Sequence, residues 1–308
     1  MIDNDTLNRR EFIRLSSYLA IGLALPSTLQ AANQPIYKTI PKSGEQIPVI
    51  GMGTSRTFEA RNDPVLLAQL QQVMQTFFDQ GGGMIDSSPM YGSAQQVIGT
   101  LLPMIKGEKN LFSATKVWID GQQAGIEQMA SSRQQWGIER FDLMQIHNLV
   151  DWQSHLETLN QMKTEGKIRY TGITTSHGRY HNQLISILKK HAFDFLQLTY
   201  NINEPEVESQ LLPLAQEQGI AVIINRPYQR GSLFRHTKGK TLPPWASEFD
   251  CTSWGQFFLK FVISHPAVTC AIPATTKAKH MIDNMQAGKG RLPNQKQREM
   301  MRSYFKSL

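Results

Sequence analysis

The 308-residue sequence is poor in several features that define whole classes of protein. Two cysteines, Cys251 and Cys270, are too few for a disulfide framework or a multi-cysteine metal site. Whether they pair or serve as small apolar residues is open at this level. No apolar stretch approaches the roughly 20 residues that cross a bilayer, so stable membrane insertion is not expected. Charged residues make up only 19 %, and there is no internal repeat or low-complexity segment. Disordered and fibrous classes are thereby excluded. His177, His181 and His191 are spaced too irregularly for a metal site, and none is expected. Acids are outnumbered 25 to 32, a formal charge of +7, yet the basic residues are scattered. Lys189-Lys190 and Lys277 to Lys279 are the densest groups, too short for a nucleic-acid face. A local seat for an anionic ligand remains compatible with that dispersion.

What is present begins with an address. Asn8-Arg9-Arg10-Glu11-Phe12 precedes a short apolar run from Ser16 to Leu25, closed by Pro26 and followed by Ala31-Ala32. A basic region, a short apolar core and small residues form the order of a secretory signal. The arginine pair followed by Phe12 resembles the twin-arginine export motif, implying the export machinery as partner and a periplasmic destination. An amphipathic N-terminal helix is the competing reading. On the export reading, residues 1–31 are signal peptide and 32–308 form one domain.

Beyond Gln46, short apolar runs alternate with segments of helical length. Strands are expected at Val49–Gly51, Met84–Asp86, Leu111–Thr115, Phe141–Ile146, Ile168–Ile173, Phe195–Thr199, Ile220–Ile224 and Val268–Ile272. In the segment after Pro64, Leu66, Leu67, Leu70, Val73, Met74 and Phe77 recur at three- and four-residue spacing, the stripe of a helix. Eight such βα units imply an α/β fold closing into a (β/α)₈ barrel. A doubly wound dinucleotide fold would want Gly-x-Gly-x-x-Gly after an early strand. Gly51-Met52-Gly53 continues instead as Thr54-Ser55-Arg56, without the third glycine.

Barrel chemistry sits at the C-terminal ends of the strands. Those ends present Asp86, then Tyr91 in the following loop, Lys116 and His147. An unperturbed phenol titrates near pH 10, too high for ready proton donation. A neighbouring ammonium lowers it, a carboxylate keeps that ammonium charged, and an imidazole orients a carbonyl oxygen. Such a set protonates an oxygen while hydride reaches the carbon, and the chain has no hydride donor of its own.

The run Gly-Met-Ile-Asp86-Ser-Ser-Pro-Met-Tyr91-Gly resembles the aldo-keto reductase signature. Ala-Thr-Lys116-Val-Trp118 and Asp-Leu-Met-Gln-Ile-His147 resemble it too, and the likeness runs from about Gln46 to Ala287. It implies a single-domain barrel that binds NADP(H) or NAD(H) and reversibly reduces an aldehyde or ketone to an alcohol. Tyr91 would be the proton donor, tuned by Lys116 and Asp86, with His147 orienting the carbonyl. Gly53-Thr54, Thr174-Thr175 and Gln197 fall at nicotinamide-side positions. Asn225 stands where many members carry a stacking tyrosine, with Arg226 and Pro227 beside it. The run Pro273-Ala274-Thr275-Thr276-Lys277 and then Lys279, His280, Asp283 and Asn284 fall at the phosphate and adenine end. His280 replaces a frequent arginine, so a preference for NADP(H) over NAD(H) is expected, weaker than in arginine-bearing relatives. Phe58, Met90 and Trp118 are expected to line an apolar substrate entrance. A catalytically idle, nicotinamide-binding sensor barrel is the competing function.

Overall fold

The alternation of inward and outward side chains explains how the site is built. In the computed structural model the described residues are 34–308, and the segment expected to be an export signal lies outside them. Two short strands come first, β1 (Tyr37–Thr39) and β2 (Gln46–Pro48), paired as an antiparallel hairpin. Eight parallel strands follow: β3 (Met52–Gly53), β4 (Met84–Asp86), β5 (Phe112–Val117), β6 (Phe141–Ile146), β7 (Ile168–Thr174), β8 (Phe195–Thr199), β9 (Ala221–Asn225) and β10 (Val268–Ala271). Their order in the sheet is their order in the sequence. The ends meet where Gly51 N donates to Ala271 O at 2.9 Å and Gly53 N to Pro273 O at 3.1 Å. A Cβ on Gly53 would lie 2.7 Å from Ile272 O. The Gly-Met-Gly run therefore serves barrel closure rather than a dinucleotide turn. The fold is a single-domain (β/α)₈ barrel, as expected.

Between the strands run α1 (Pro64–Asp79), α2 (Ala94–Leu101), α3 (Gln122–Trp136), α4 (Trp152–Thr164), α5 (His181–Leu188), α6 (Leu211–Glu217) and α7 (Ser232–His236). Then come α8 (Trp254–Ile263), α9 (Ala278–Ala287) and α10 (Gln295–Ser307). Helix α1 shows why the sequence folds this way. Asp63 caps it by accepting from Val65 N and Leu66 N, and Pro64 occupies its first turn. Leu70, Val73, Met74, Phe77 and Phe78 are its buried face, each contributing on the order of 1.5–3 kcal/mol by leaving water.

Inside the barrel, every second residue points to the axis. From the N-terminal mouth these positions are apolar: Met84, Phe112, Ala114, Leu143, Tyr170, Phe195, Ala221, Ile223 and Cys270 pack with Ile40 and Ile47 of the hairpin. One step further along the same rows they turn polar, giving Asp86, Lys116, Gln145, Thr174, Gln197 and Asn225. The hairpin plugs one mouth and the polar layer opens at the other. Both cysteines are free and buried. Strand β3 lies one residue beyond the run expected from sequence. Before α6 the chain leaves the helical region at Gln210, with φ −142°.

Candidate active site

The polar layer centres on a buried ion pair. Lys116 Nζ donates to Asp86 Oδ2 at 2.6 Å, with side-chain exposures of 0 % and 2 %. A buried pair is tolerable only when its remaining hydrogen-bonding groups are also satisfied. Here Asp86 Oδ1 accepts from Gln145 Nε2 at 3.0 Å and Gln197 Nε2 at 2.8 Å, and Lys116 also donates to Ser87 O at 2.7 Å. Gly172 on β7 makes room for this layer, because a Cβ there would meet Gln145 Cγ at 2.8 Å. The Tyr91 ring centroid lies 5.2 Å from Lys116 Nζ.

Tyr91 and His147 face each other edge to face, with ring centroids 5.8 Å apart. His147 Nδ1 is 2.8 Å from Ser88 Oγ, which also accepts from Met90 N at 3.2 Å. Burial, reinforced by the Lys116 charge, holds the His147 imidazole well below its ordinary value. Lys116 is desolvated, yet Asp86 and the phenol outweigh that penalty and keep it charged. From the sequence alone, Lys116 is expected to pull the Tyr91 phenol down. Burial instead pushes it above its ordinary value; Lys116 opposes this and the Asp86 charge adds to it. The phenol is thus held protonated, with a cation beside it.

These groups open on a cavity of about 570 Å³, within the usual range for small-molecule sites. Gly53, Thr54, Thr174, Gln197, Asn225, Arg226, Pro227, Pro273 and Ala274 line it together with Asp86, Met90, Tyr91 and His147. Thr54 Oγ1 donates to Asp86 O, tying the loop after β3 to the ion-pair strand. Asn225 is fixed by Thr199 Oγ1 on its carbonyl and donates to Thr175 O. A nicotinamide carboxamide needs both an acceptor and a donor. Asn148 Oδ1, in the cavity lining, and Thr175 Oγ1, next to the lining residue Thr174, are buried without partners, so the residues present fit such a group. Tyr228 and Phe234, tilted against each other with ring centroids 4.8 Å apart, supply an aromatic wall that Asn225 cannot.

Other expected residues lie elsewhere. Phe58 was expected at the substrate entrance but is fully buried in the outer core, where a phenyl ring gains more than in a wet mouth. Trp118 is 39 % exposed with its ring 6.4 Å from His147, beside the cavity rather than lining it. Thr275, Thr276, Lys277, Lys279 and His280 gather at the start of α9, outside the cavity lining. Asp283 accepts from Ser253 Oγ and Gln256 Nε2, each at 2.7 Å, bracing the Ser253 cap of α8 rather than standing free for a ligand. Asn284 accepts from Tyr228 and keeps its Nδ2 buried and unpaired. Gln145, Ser88, Asn148, Arg56 and Arg230 were not read from the sequence. Ser88 had a signal: it stands two residues from Asp86 in the same signature run. No group of metal-binding side chains occurs among the described residues, and none of their helices is long and apolar enough to cross a membrane.

Comparison with known proteins gives this geometry a family. The sequence profile described as the Aldo/keto reductase family matches residues 49–303. An NADH-specific methylglyoxal reductase of Escherichia coli is 26 % identical over 185 residues, half of this chain and 54 % of that relative. The chain thus spans about half the length of that relative. A second methylglyoxal reductase of Escherichia coli is 25 % identical over 80 % of this chain and 88 % of its own length. Among solved structures, an aldo/keto reductase of Klebsiella pneumoniae in complex with NADP and acetate superposes with a TM-score of 0.73. It is 21 % identical, covering 87 % of this chain and 94 % of that one. The chain belongs to the aldo/keto reductase family.

Proposed function

We propose that the chain reversibly reduces a small aldehyde or ketone to an alcohol, with Tyr91 as the proton donor. The observation that carries this reading is the buried Lys116–Asp86 pair beside Tyr91, opening on a cavity shared with His147. The nicotinamide, when bound, supplies the hydride. The chain's own residues serve the substrate oxygen. His147 is held neutral, and with the Ser88 hydroxyl donating a hydrogen bond to Nδ1 the imidazole proton sits on Nε2, toward the carbonyl. The Tyr91 phenol passes its proton to the same oxygen, and the phenolate left behind is stabilised by Lys116. An idle sensor would have no use for a buried ammonium poised beside a phenol. Two relatives that are methylglyoxal reductases support a small carbonyl substrate. Replacing Tyr91 by Phe removes one oxygen. Turnover is expected to fall by about 10²–10⁴ while NADPH still binds, read by absorbance at saturating aldehyde. Turnover like that of the unaltered protein would remove Tyr91 from the role.

The preferred cofactor is NADP(H). Lys277 and Lys279 stand at the start of α9, where a helix N-terminus favours phosphate. His280 adds no charge at neutral pH, because partial burial and then those two lysines hold it below its ordinary value. Charge reversal of Lys277 and Lys279 should therefore weaken NADP(H) more than NAD(H), and equal losses would refute the assignment. The protein is exported by the twin-arginine route to the periplasm as a folded holoprotein, a reading supported by Arg9-Arg10 and the short apolar run. Replacing both arginines with lysine should strand an active precursor in the cytoplasm. Normal export of that variant would refute the route, and nucleotide-free periplasmic protein would refute the holoprotein.

A further inference from the structure

One amide of the polar layer does not line the cavity at all. Gln145, on β6, is fully buried, and among the described residues its side chain bonds only Asp86 and Gln197. The inward position below it on the same strand is Leu143, so packing alone asks for an apolar side chain here. A buried amide is costly unless matched, and this one is matched at both ends. Its Nε2 donates to Asp86 Oδ1 at 3.0 Å, and its Oε1 accepts from Gln197 Nε2 at 3.3 Å.

The barrel leaves room for that second contact. The sheet register sets Gln145 beside Lys116 of β5 on one side and Gly172 of β7 on the other. Gly172 has no side chain, so Gln145 reaches across β7 to Gln197 of β8. A Cβ on Gly172 would meet Gln145 Cγ at 2.8 Å, Leu143 Cδ1 at 3.2 Å and Phe195 Cβ at 3.3 Å. A glycine inside a strand weakens it and marks this kind of close approach.

The contact decides which way the Gln197 amide faces. Its nitrogen has two acceptors behind it, Asp86 Oδ1 at 2.8 Å and Gln145 Oε1 at 3.3 Å. Its oxygen lies on the other side, 3.5 Å from Asn225 Nδ2, and both residues line the cavity. Asn225 commits that nitrogen to Thr175 O at 2.9 Å, so the Gln197 oxygen keeps capacity for a further donor. Without Gln145, Asp86 Oδ1 would have Gln197 as its one amide donor, and the Gln197 nitrogen would be held from one side.

We propose that Gln145 is a positioning residue that couples the Asp86–Lys116 pair to the nicotinamide seat, holding the Gln197 amide with its oxygen toward the cavity as acceptor for the carboxamide N–H. The inference rests on the oxidoreductase reading above and adds to it a residue that touches neither substrate nor cofactor.

The binding test uses NADP⁺, its 3-acetylpyridine analogue, whose acetyl group has no N–H, and 2′,5′-ADP, which has no nicotinamide. By calorimetry the unaltered protein is expected to bind NADP⁺ about fivefold more tightly than the analogue, the effect of one net hydrogen bond. Gln145→Met, of similar length without polar ends, should bring that ratio toward one while the Kd for 2′,5′-ADP stays the same. Gly172→Ala, which removes no polar group, should act in the same direction. The kinetic test uses Gln145→Glu. A carboxylic acid at this position keeps the shape and donates to Asp86, whereas a carboxylate repels it. Burial and the Asp86 charge raise the pKa of the new group, so the donor is present at low pH and lost as pH rises. The kcat/KM of this variant for a neutral aldehyde should fall at least about tenfold between about pH 5.5 and 8, with the folded fraction constant and the unaltered protein level.

An undiminished NADP⁺ preference in Gln145→Met, or no preference in the unaltered protein, would overturn the proposal. So would a level pH profile at the ordinary rate in Gln145→Glu. Equal weakening of NADP⁺ and 2′,5′-ADP would also overturn it and give Gln145 to the fold. A carboxamide preference lost in Gln145→Met, without turnover of any aldehyde by the unaltered protein, would instead sink the oxidoreductase reading and leave the positioning of Gln197 standing.

Discussion

The two mouths of the barrel use the same residue types to opposite ends. At the hairpin mouth Lys38, Lys163 and Glu45 are each terminated by the chain itself. Lys38 Nζ donates to the carbonyls of Ile263, His265 and Val268 at 2.8, 2.9 and 2.5 Å, and Lys163 closes on Asp194 at 2.6 Å. Glu45 accepts from both Arg169 and the Tyr170 hydroxyl. At the cavity mouth the ion pair is equally complete, but the groups around it are left open. Asn148 Oδ1, Thr175 Oγ1 and Ser87 Oγ are buried without partners, and three arginines lack acids. Backbone strain divides the same way. Of nine left-handed non-glycine residues among those described, eight follow β3, β6 or β9 at the cavity mouth: Arg56, Arg61, Asn148, Leu149, Asp151, Arg226, Gln229 and Arg230. None lies in the hairpin. One mouth is finished by the chain itself; the other is finished by what binds there.

The sharpest way to break that contrast is to remove a charge from each mouth. Lys116→Met leaves Asp86 buried with amide donors alone, which should cost about 3–5 kcal/mol and abolish turnover. The double variant Lys116→Met/Asp86→Leu should recover much of that stability and none of the activity, as judged by denaturant unfolding beside NADPH oxidation. Recovery of both would show that the pair serves the fold alone. Lys38→Met is the counterpart. Three carbonyls lose their donor, at a cost of about 1–3 kcal/mol, while the folded fraction keeps its kcat. A drop in kcat at equal folded fraction would mean that the two mouths are coupled.

How much of this was legible in the sequence depended on where a residue stands in its strand. Asp86, Lys116 and His147 each end an apolar run, so the change to a polar residue is visible, and the structure brings them together with Tyr91. Gln145 is hidden inside such a run. Strands covered on both faces read as nearly continuous apolar stretches, and inward positions do not announce themselves. The hairpin was missed because strands of three residues carry too little pattern, and α10 because its exposed face is dominated by Lys, Arg and Gln. Its start was nonetheless written in Asn294 and Gln297, which form a capping box. Phe58 misled because a loop aromatic near the site reads equally as pocket or core. Arg56 and Arg230 were lost among scattered charges, since nothing local in the sequence says which cations will meet in one cavity, whereas Arg226 was named through its place beside Asn225.

A smaller effect isolates the orienting of His147. Ser88→Ala deletes the hydroxyl beside Nδ1 and leaves a methyl in its place. Losing one net hydrogen bond in the transition state corresponds to about a tenfold fall in kcat. Ser88→Thr, which keeps the hydroxyl, should restore most of the rate. A positioning role further predicts that the alanine variant is more sensitive to acid, because an imidazole free to turn is more readily protonated. Equal losses in both variants would indicate a packing defect instead.

The smallest expected effect is a flat line, and it tests the electrostatics of the open mouth directly. His147 lies well below its ordinary pKa, chiefly through burial and then through Lys116, so lowering the pH through about 6.5 should leave it neutral. Tyr91 lies above its ordinary value, so raising the pH toward about 9 should leave the phenol protonated. Reduction needs both groups in those forms, so kcat/KM for a neutral aldehyde should vary little between about pH 5.5 and 8. Alcohol oxidation needs the phenolate, and its rate should climb with pH toward the raised phenol value. An inflection near 6.5 in the reduction profile would show that solvent reaches His147. A reduction rate falling well below pH 9 would show that Lys116, not burial, dominates the phenol, as the sequence argument first had it.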